Sequence, residues 1–398
     1  MYRIDAAERR RRLAVRHGLG PVAGRLLEPA AVARQLVALH GTDPATVYLS
    51  LRSRTAAPVT PAAIEQSLYE RRDLVRMLAM RRTVFVVPAE SRYIVQLSTT
   101  DKIARDQRAL LLRLLSQAGT VADPATWLAD VERSVLRILA DRGGEATAAE
   151  LSAAEPRLKT TVLLGAGKPY QATQAITSRV LLVLAAHGQI VRGRPVGSWL
   201  SQQYRWALTE QWLGARGAAA AEISEASART ELAGQWLTAF GPAPLSDLKW
   251  WTGWTLGQVR QAAKALDVAE VDLGDRTGVA LPADLAATPE PGDWVALLPA
   301  LDPTVMGWQD RSWFLGPHGQ ALFDTNGNAG PTIWLNGQVV GGWAQRASGE
   351  IAVRLLADVG ADARALVDAE AARLGAWLGD VRVRPRFRTP TERELSGF

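Results

Sequence analysis

The feature that most constrains the fold is a pattern of two helices, a tight turn and two short strands between Gly241 and Leu281. Thr252-Gly253 separates two amphipathic segments, and Thr255 is placed to cap the second. Two helices joined by such a glycine turn are typical of a helix-turn-helix, whose second helix can enter the DNA major groove. The pattern predicts apolar helix positions at Leu245, Leu248, Trp251, Val259, Ala263 and Leu266, and strands at Ala269–Leu273 and Thr277–Leu281.

Two earlier stretches repeat the pattern less regularly. In the first, a helix is expected to end at His40-Gly41, and Thr42-Asp43-Pro44 has the residue types that start the next one. The remaining elements predicted for the two stretches are a helix over 61–68, a strand at Thr83–Val87, helices over 127–140, 146–154 and 171–186, a strand at Ile190–Arg192, a basic turn at Gly193-Arg194-Pro195 and a strand around Trp199.

From about residue 290 the sequence changes to short apolar or aromatic runs. Asn326-Gly327 and Asn336-Gly337 are strong hairpin turns, which favours a small antiparallel barrel. A helix over 361–378 and a basic tail follow. The expected fold class is α+β, with three tandem winged helix-turn-helix units at 1–125, 126–220 and 221–285, and a β-barrel with a helix and tail at 286–398.

Composition excludes some chemistry and favours a nucleic-acid partner. The 398 residues include no cysteine, so disulfides, cysteine-ligated zinc and iron–sulfur clusters are excluded. The four histidines have no partners at metal-ligand spacing, and we expect neither a metal nor a cofactor. Lys and Arg number 46 against 40 Asp and Glu; this fits a nucleic-acid binder, although an arginine-rich, high-GC genome would have the same bias. The charged N-terminus and the lack of a long apolar stretch predict a cytoplasmic protein that does not enter membranes.

The segment His40-Gly41-Thr42-Asp43 is the candidate for chemistry. An imidazole, a hydroxyl and a carboxylate cluster at a helix break, and Gly41 lets the backbone approach a ligand. The alternative is purely structural, since Thr42 or Asp43 can be an N-cap and His40 a polar helix end.

Candidate DNA contacts lie near the predicted turns and wings. Arginines there can bind phosphate, although each can equally belong to a solvated face, and most of the 14 tryptophans are expected in the core. The candidates are Arg52, Arg54, Arg81, Arg82, Arg192, Arg194, Arg205, Trp308 and Arg311.

Six runs in order along nearly the whole chain resemble the AlkZ/YcaQ-like winged-helix DNA glycosylases. The resemblance implies three winged-helix units that form a concave channel, a C-terminal barrel and cleavage of the N-glycosidic bond of N7-alkylated guanine. Some members unhook interstrand crosslinks made by antibiotics. The runs are VARQLVALHGTDPATVYLSLRSR, MRRTVFVVPAE, VGSWLSQQYRW, AFGPAPLSDLKWWTGWT, LLPALDPTVMGWQDRSWFLG and NGNAGPTIWLNGQVVGGWAQR.

The sequence departs from this family at its catalytic motif, Gln-x-Gln followed by an acid. His40 and Thr42 occupy the two glutamine positions, and Asp43 the acidic one. We therefore expect Asp43 to stabilise a sugar cation or orient a water that His40 and Thr42 hold. No lysine stands at the motif, so base release by water without a Schiff base is predicted.

The expected partner is double-stranded DNA carrying alkylated purines, probed by hairpins such as Trp308–Arg311, with the protein acting as a monomer. Two other functions stay open. A non-catalytic winged-helix regulator would bind a DNA sequence without base release. A drug-sequestering protein would bind a free alkylating antibiotic without DNA.

Overall fold

The computed structural model describes residues 2–21, 28–55, 59–169, 171–214 and 223–397. The predicted boundary at 220/221 lies outside these residues. The first region begins with a two-residue strand and ends with a long helix. Its elements are β1 (Tyr2–Arg3), α1 (Ala6–Arg16), α2 (Pro29–Gln35), β2 (Leu39–His40), α3 (Pro44–Arg52), α4 (Pro61–Glu65), β3 (Leu74–Ala79), β4 (Thr83–Pro88), α5 (Arg92–Val95) and α6 (Asp101–Ala118).

The next two regions each contain helices followed by a hairpin. The second comprises α7 (Pro124–Asp141), β5 (Glu145–Thr147), α8 (Ala148–Ala154), β6 (Thr161–Leu164), β7 (Ala172–Ala175), α9 (Thr177–Ala186), β8 (Ile190–Pro195), β9 (Tyr204–Leu208) and α10 (Thr209–Leu213). The third comprises α11 (Glu225–Phe240), α12 (Leu245–Thr252), α13 (Leu256–Ala265), β10 (Ala269–Asp272) and β11 (Thr277–Ala280).

The C-terminal region mixes strands with very short helices. It comprises β12 (Val295–Leu298), α14 (Pro303–Met306), α15 (Ser312–Leu315), α16 (Gly319–Leu322), β13 (Thr332–Leu335), β14 (Gln338–Gln345), β15 (Ile351–Leu355), α17 (Gly360–Leu378) and α18 (Pro390–Ser396). Across the described ranges, no helix is both long and apolar enough to cross a bilayer.

Three small sheets recur along the chain. In two of them a short strand joins the outside of a later hairpin, in the orders β2-β4-β3 and β5-β9-β8. In the third, β1 pairs in parallel with β10, which forms a hairpin with β11. The extreme N-terminus is thereby tied to a strand roughly 270 residues away, a pairing that no local pattern could indicate.

The C-terminal strands form an antiparallel sheet in the order β12-β13-β14-β15. Asn336 and Gly337 form the predicted turn between β13 and β14, with φ values of 49° and 83° that suit a hairpin of the primed type. Within the described residues no pairing joins β12 to β15, so the expected barrel is present only as an antiparallel sheet.

Hydrophobic clusters cross the predicted unit boundaries. One cluster joins Phe85 to Trp236 and Trp334, and another joins Tyr48 to Trp343. Sequence-distant regions therefore share cores, which fixes the β2–α3 segment from several sides.

A buried ion pair fastens α3 to the C-terminal region. The Arg54 guanidinium donates to both carboxylate oxygens of Asp302, with Nη2–Oδ1 2.6 Å, and the two side chains are 1% and 0% exposed. Ser50 Oγ donates to the same carboxylate at 2.6 Å. This network holds the C-terminal end of α3, the helix that begins directly after the candidate segment.

Several sequence predictions are corrected by long-range pairing. The first helix ends at Gln35, because Leu39 and His40 form β2 against β4. Residues 171–186 divide into β7 and α9, and the second strand of the hairpin is Tyr204–Leu208. Trp199 lies in the loop before that strand and stacks on Tyr48, with ring centroids 4.5 Å apart. Residues 312–322 belong to the region expected to form a barrel of strands, but they contain the helices α15 and α16.

Candidate active site and DNA interface

The strand register places His40 on one face of the first sheet. Leu39 pairs with Val86 and His40 with Phe85. Because successive residues of a strand point to opposite faces, Leu39 enters one hydrophobic core while the His40 ring packs near Phe85, with centroids 5.3 Å apart. The pairing of β2 with β4 thus determines which face of the sheet the His40 imidazole occupies.

The environment of His40 favours an uncharged ring. The residue is 6% exposed, and Nδ1 is buried with no hydrogen-bond partner in the described part of the chain. Burial lowers the pKa of His40 to about 3, and the nearby charge of Arg81 adds to this effect. His40 is therefore a neutral imidazole at physiological pH, and it lies in a strand and not at the polar helix end that one sequence interpretation offered.

Close backbone packing explains the glycine at position 41. A Cβ there would lie 3.1 Å from Arg76 Nη1 and 3.3 Å from the Phe85 carbonyl carbon. Arg76 Nη1 also donates to the Gly41 carbonyl oxygen at 2.7 Å. The next residue, Thr42, is half-buried. The strand end is thus held by a buried guanidinium, and the Thr42 side chain keeps some access to solvent.

Asp43 is the N-cap of α3, as one of the two sequence interpretations predicted. Its Oδ1 accepts from the Ala45 amide at 3.1 Å, and its Oδ2 accepts from the Arg386 amide at 2.9 Å. Asp43 is 5% exposed, and burial raises its pKa. Both oxygens are engaged by backbone amides, which corrects the expectation that this carboxylate faces a bound sugar. Its observed contacts fix the helix start and the C-terminal tail.

Three of the predicted DNA contacts lie in the interior. Arg52 is 5% exposed and pairs with Glu370, and Arg54 pairs with Asp302. Trp308 is 1% exposed and donates its indole N–H to the Phe240 carbonyl oxygen at 3.0 Å. These positions correct the predicted DNA contacts, because buried and paired groups cannot reach a phosphate.

Two further candidates are half-buried and already paired with acids. Arg194 contacts Glu65 at 2.9 Å, and Arg205 lies 3.5 Å from Glu145. To contact DNA, each arginine would have to break its ion pair with the neighbouring glutamate. Arg192 differs, since no ion pair engages it within the described residues and its guanidinium lies 4.9 Å from the centroid of the Trp206 ring.

The remaining candidates form a cationic strip beside His40. The Arg81 and Arg311 guanidiniums lie 3.8 Å and 5.1 Å from the centroid of the Trp250 ring. Burial lowers the pKa of Arg311 to about 10, and Arg81 adds repulsion. Arg82 lies close enough to Arg179 to contribute to the lowered pKa of that guanidinium. We call Arg81, Arg82, Arg179 and Arg311 the arginine strip; none has an ion-pair partner among the residues described.

The backbone at Arg81 and Arg82 supports a role for the strip. Both residues lie at the β3–β4 turn with left-handed φ values of 54° and 59°. That conformation costs roughly 1–2 kcal/mol per residue outside glycine. Strained turns of this kind are concentrated at functional sites, and here the turn presents two exposed arginines next to His40.

Sequence reasoning missed Trp250, Arg179 and Arg76. The signal available for Arg76 was a single charged residue inside the apolar run 74–79. Nothing local marks Arg179 or Trp250, because their significance comes from neighbours in other regions. No group of three metal-ligating side chains occurs within the described ranges.

Comparisons with known proteins place this geometry in context. A family model described as DNA glycosylase AlkZ-like matches residues 33–377. Among solved structures, the chain is similar to the Streptomyces sahachiroi DNA glycosylase AlkZ, with a TM-score of 0.72 and 21% identity over 96% of this chain and 98% of that one. No curated protein matches the chain. The structural likeness supports a shared α+β fold.

Proposed function

Because this chain belongs to the AlkZ-like DNA glycosylase family, we propose that it hydrolyses the N-glycosidic bond of N7-alkylated guanine in double-stranded DNA. The proposed lesions are bulky adducts such as those left by alkylating antibiotics, so that the enzyme would act in base excision repair and self-resistance. We also propose that the three helix-and-hairpin regions act as winged-helix units along a concave channel, and that the protein works as a monomer.

The observation that carries the proposal is a neutral imidazole whose buried Nδ1 has no hydrogen-bond partner among the described residues, beside arginines that no ion pair engages there. A guanine alkylated at N7 is positively charged, and so is the sugar as the bond breaks. A protonated histidine would repel both, whereas the buried His40 stays uncharged with its pKa near 3. Neutral hydrogen-bonding groups are what this reaction needs, which explains how histidine can replace the glutamine of the family motif.

The reaction is proposed to pass through a sugar cation. The C1′–N9 bond breaks, and its electron pair neutralises the charged base. A water molecule held by His40 and Thr42 then bonds to C1′ and releases a proton to solvent. Asp43 acts as a positioning residue, because its carboxylate holds the α3 N-terminus and thereby the preceding Thr42.

The arginine strip is proposed to hold the phosphates around the damaged nucleotide. Its members come from three regions of the chain, yet two of them share the Trp250 ring. Guanidiniums form forked hydrogen bonds to phosphate oxygens. Arg311 already donates Nε to the Val305 carbonyl oxygen, but none of the four arginines is held in an ion pair among the described residues, so the strip keeps donors for phosphate.

The direct test is release of N7-methylguanine from alkylated duplex DNA at neutral pH, measured by chromatography of the free base. His40→Ala should lower the rate by about tenfold or more, with DNA affinity nearly unchanged, because the loss falls on the transition state. His187→Ala is the matched control, since His187 is an exposed histidine at the end of α9.

Three outcomes would reject the assignment. Wild-type turnover by His40→Ala would remove His40 from the chemistry. A wild-type protein that binds one DNA sequence tightly but releases no base would instead be a regulator, and one that binds a free alkylating antibiotic without DNA would be a sequestering protein.

A further inference from the structure

A second cluster of cationic and phenolic groups lies on the opposite face of the first sheet from His40. Arg76, on β3, is 3% exposed. Nη1 donates to the Gly41 carbonyl oxygen, whereas Nε and Nη2 are buried without a well-formed hydrogen bond in the described structure, and the Tyr69 hydroxyl is the side-chain group that interacts with this guanidinium. A buried guanidinium that leaves two donors unmet is costly, and such donors mark a place where an acceptor binds.

The surroundings of Arg76 supply donors and few acceptors. The Tyr48 hydroxyl is buried without a well-formed hydrogen bond, and its phenolic neighbour is Tyr69. The Arg76 guanidinium lies 5.1 Å from the centroid of the Tyr204 ring. Asp43 is close enough for Arg76 to lower its pKa, but both of its oxygens already accept backbone amides. The cluster therefore keeps excess positive charge.

Arg192 extends this cluster towards solvent. Arg76 and Arg192 line one narrow cavity between β3 and β8. Arg192 also lines an open cavity of about 490 Å³, together with Tyr204, Gln202 and Gln203. Within the described residues Arg192 has no ion-pair partner, and burial together with repulsion from Arg76 lowers its pKa to about 10. The open cavity is large enough for a tetrahedral oxyanion, and Arg192 lines both cavities, so that it links the open one to the narrow one that Arg76 lines.

We propose that Arg76, Arg192 and Tyr204 form a binding site for a phosphate group between the first sheet and the β8–β9 hairpin. The chemistry that selects phosphate is a pair of guanidiniums with phenolic and amide donors and no free carboxylate. The phosphate can come from the DNA backbone or from solution.

The position of the site gives it a second consequence, which rests on the proposed function. Arg76 holds the Gly41 carbonyl, and Gly41 lies between His40 and Thr42. A phosphate that accepts from Nε and Nη2 of the same guanidinium would hold the other side of Arg76 in place as well. If the phosphate belongs to the bound DNA, occupation of the site would set the geometry of the two groups proposed to hold the water.

The experiment measures thermal unfolding of the full chain in sodium phosphate and in sodium chloride of matched ionic strength. Phosphate should raise the midpoint of the wild-type protein saturably. Arg192→Gln should weaken the apparent affinity by at least about tenfold, because a charge-assisted contact is lost. Arg364→Gln, on exposed α17, is the charge-matched control and should respond like wild type. Arg76→Lys keeps the buried charge while removing the forked donors, and should also weaken the response.

The salt dependence of DNA binding, compared with the phosphate response, identifies the source of the phosphate. Arg192→Gln should lower the slope of log affinity for alkylated duplex against log salt by about 0.9 if one DNA phosphate occupies the site. An unchanged slope together with a phosphate response in the free protein assigns the site to phosphate from solution. If neither the phosphate response nor the slope change is observed, the proposed site is wrong, and water occupies the unpartnered donors instead. His40→Ala should lose base release but keep the phosphate response, so failure of the proposed function would be distinguishable from failure of this site.

Discussion

Acidification from pH 7 to pH 5 should destabilise the protein through His40, and His40→Gln should remove that part of the effect. The folded state holds the pKa of His40 near 3, against 6.5 for an exposed histidine. Between these two values the unfolded chain binds a proton that the folded chain does not. The free energy of unfolding must therefore fall as the pH falls through this window.

The magnitude follows from the two pKa values. At pH 5 the unfolded histidine gains about 2 kcal/mol from protonation, whereas the folded one gains almost nothing, and at pH 7 the difference is only a few tenths of a kcal/mol. Acidification should thus cost about 2 kcal/mol through His40. His17 has the same lowered pKa of about 3, but it is present in both proteins and cancels in the comparison.

Urea unfolding at pH 5, 6 and 7, followed by tryptophan fluorescence and circular dichroism, measures the difference. Glutamine is the matched replacement because it keeps a neutral hydrogen-bonding side chain and does not titrate. The midpoint of the wild type should move towards lower urea on acidification by more than that of His40→Gln. Parallel pH dependences for the two proteins would show that His40 is solvated, and the neutral-imidazole argument would then fail.

Three further predictions concern the buried ion pair of Asp302, the helix cap Asp43 and the class of the reaction. Asp302→Ala should lower the free energy of unfolding by about 3–5 kcal/mol in urea titration, since Arg54 would remain buried and unpaired. Asp43→Asn should lower it by about 1–3 kcal/mol in the same assay, because a backbone amide loses its acceptor; an equally stable but inactive variant would place the carboxylate on the substrate. Borohydride should trap no covalent complex with alkylated DNA, and a trapped complex would indicate a lysine nucleophile.

Local signals in the sequence predicted the capped helix starts and one hairpin correctly. Asp43 before Pro44 caps α3, and Thr255 forms a capping box with Gln258. Asn336-Gly337 forms its hairpin. In each case the determining interaction joins residues only a few positions apart, so the sequence contains the necessary information.

Interactions between residues far apart in the sequence could not be predicted from local patterns. A helix was expected to continue to His40 because the apolar spacing allowed it, but β4, more than 40 residues later, pairs with Leu39-His40 instead. Arg54 was expected at the surface because arginine usually lies there. Its partner Asp302 is 248 residues away, and the burial of both depends on that pairing.

Charge accounts for the proposed replacement of the family's glutamine by histidine at position 40. An exposed histidine would be partly protonated at the pH of a cell, and its charge would oppose the cation that forms on the sugar. The β2–β4 pairing turns the ring towards Phe85, and burial together with Arg81 prevents protonation. The same Arg81 is exposed enough to meet a phosphate, whose negative charge would offset its repulsion of the sugar cation. Strand β4 therefore contributes to both requirements of the proposed reaction: its pairing with β2 helps to bury a neutral ring at the bond that breaks, and the turn before it presents a positive charge to the DNA backbone beside that bond.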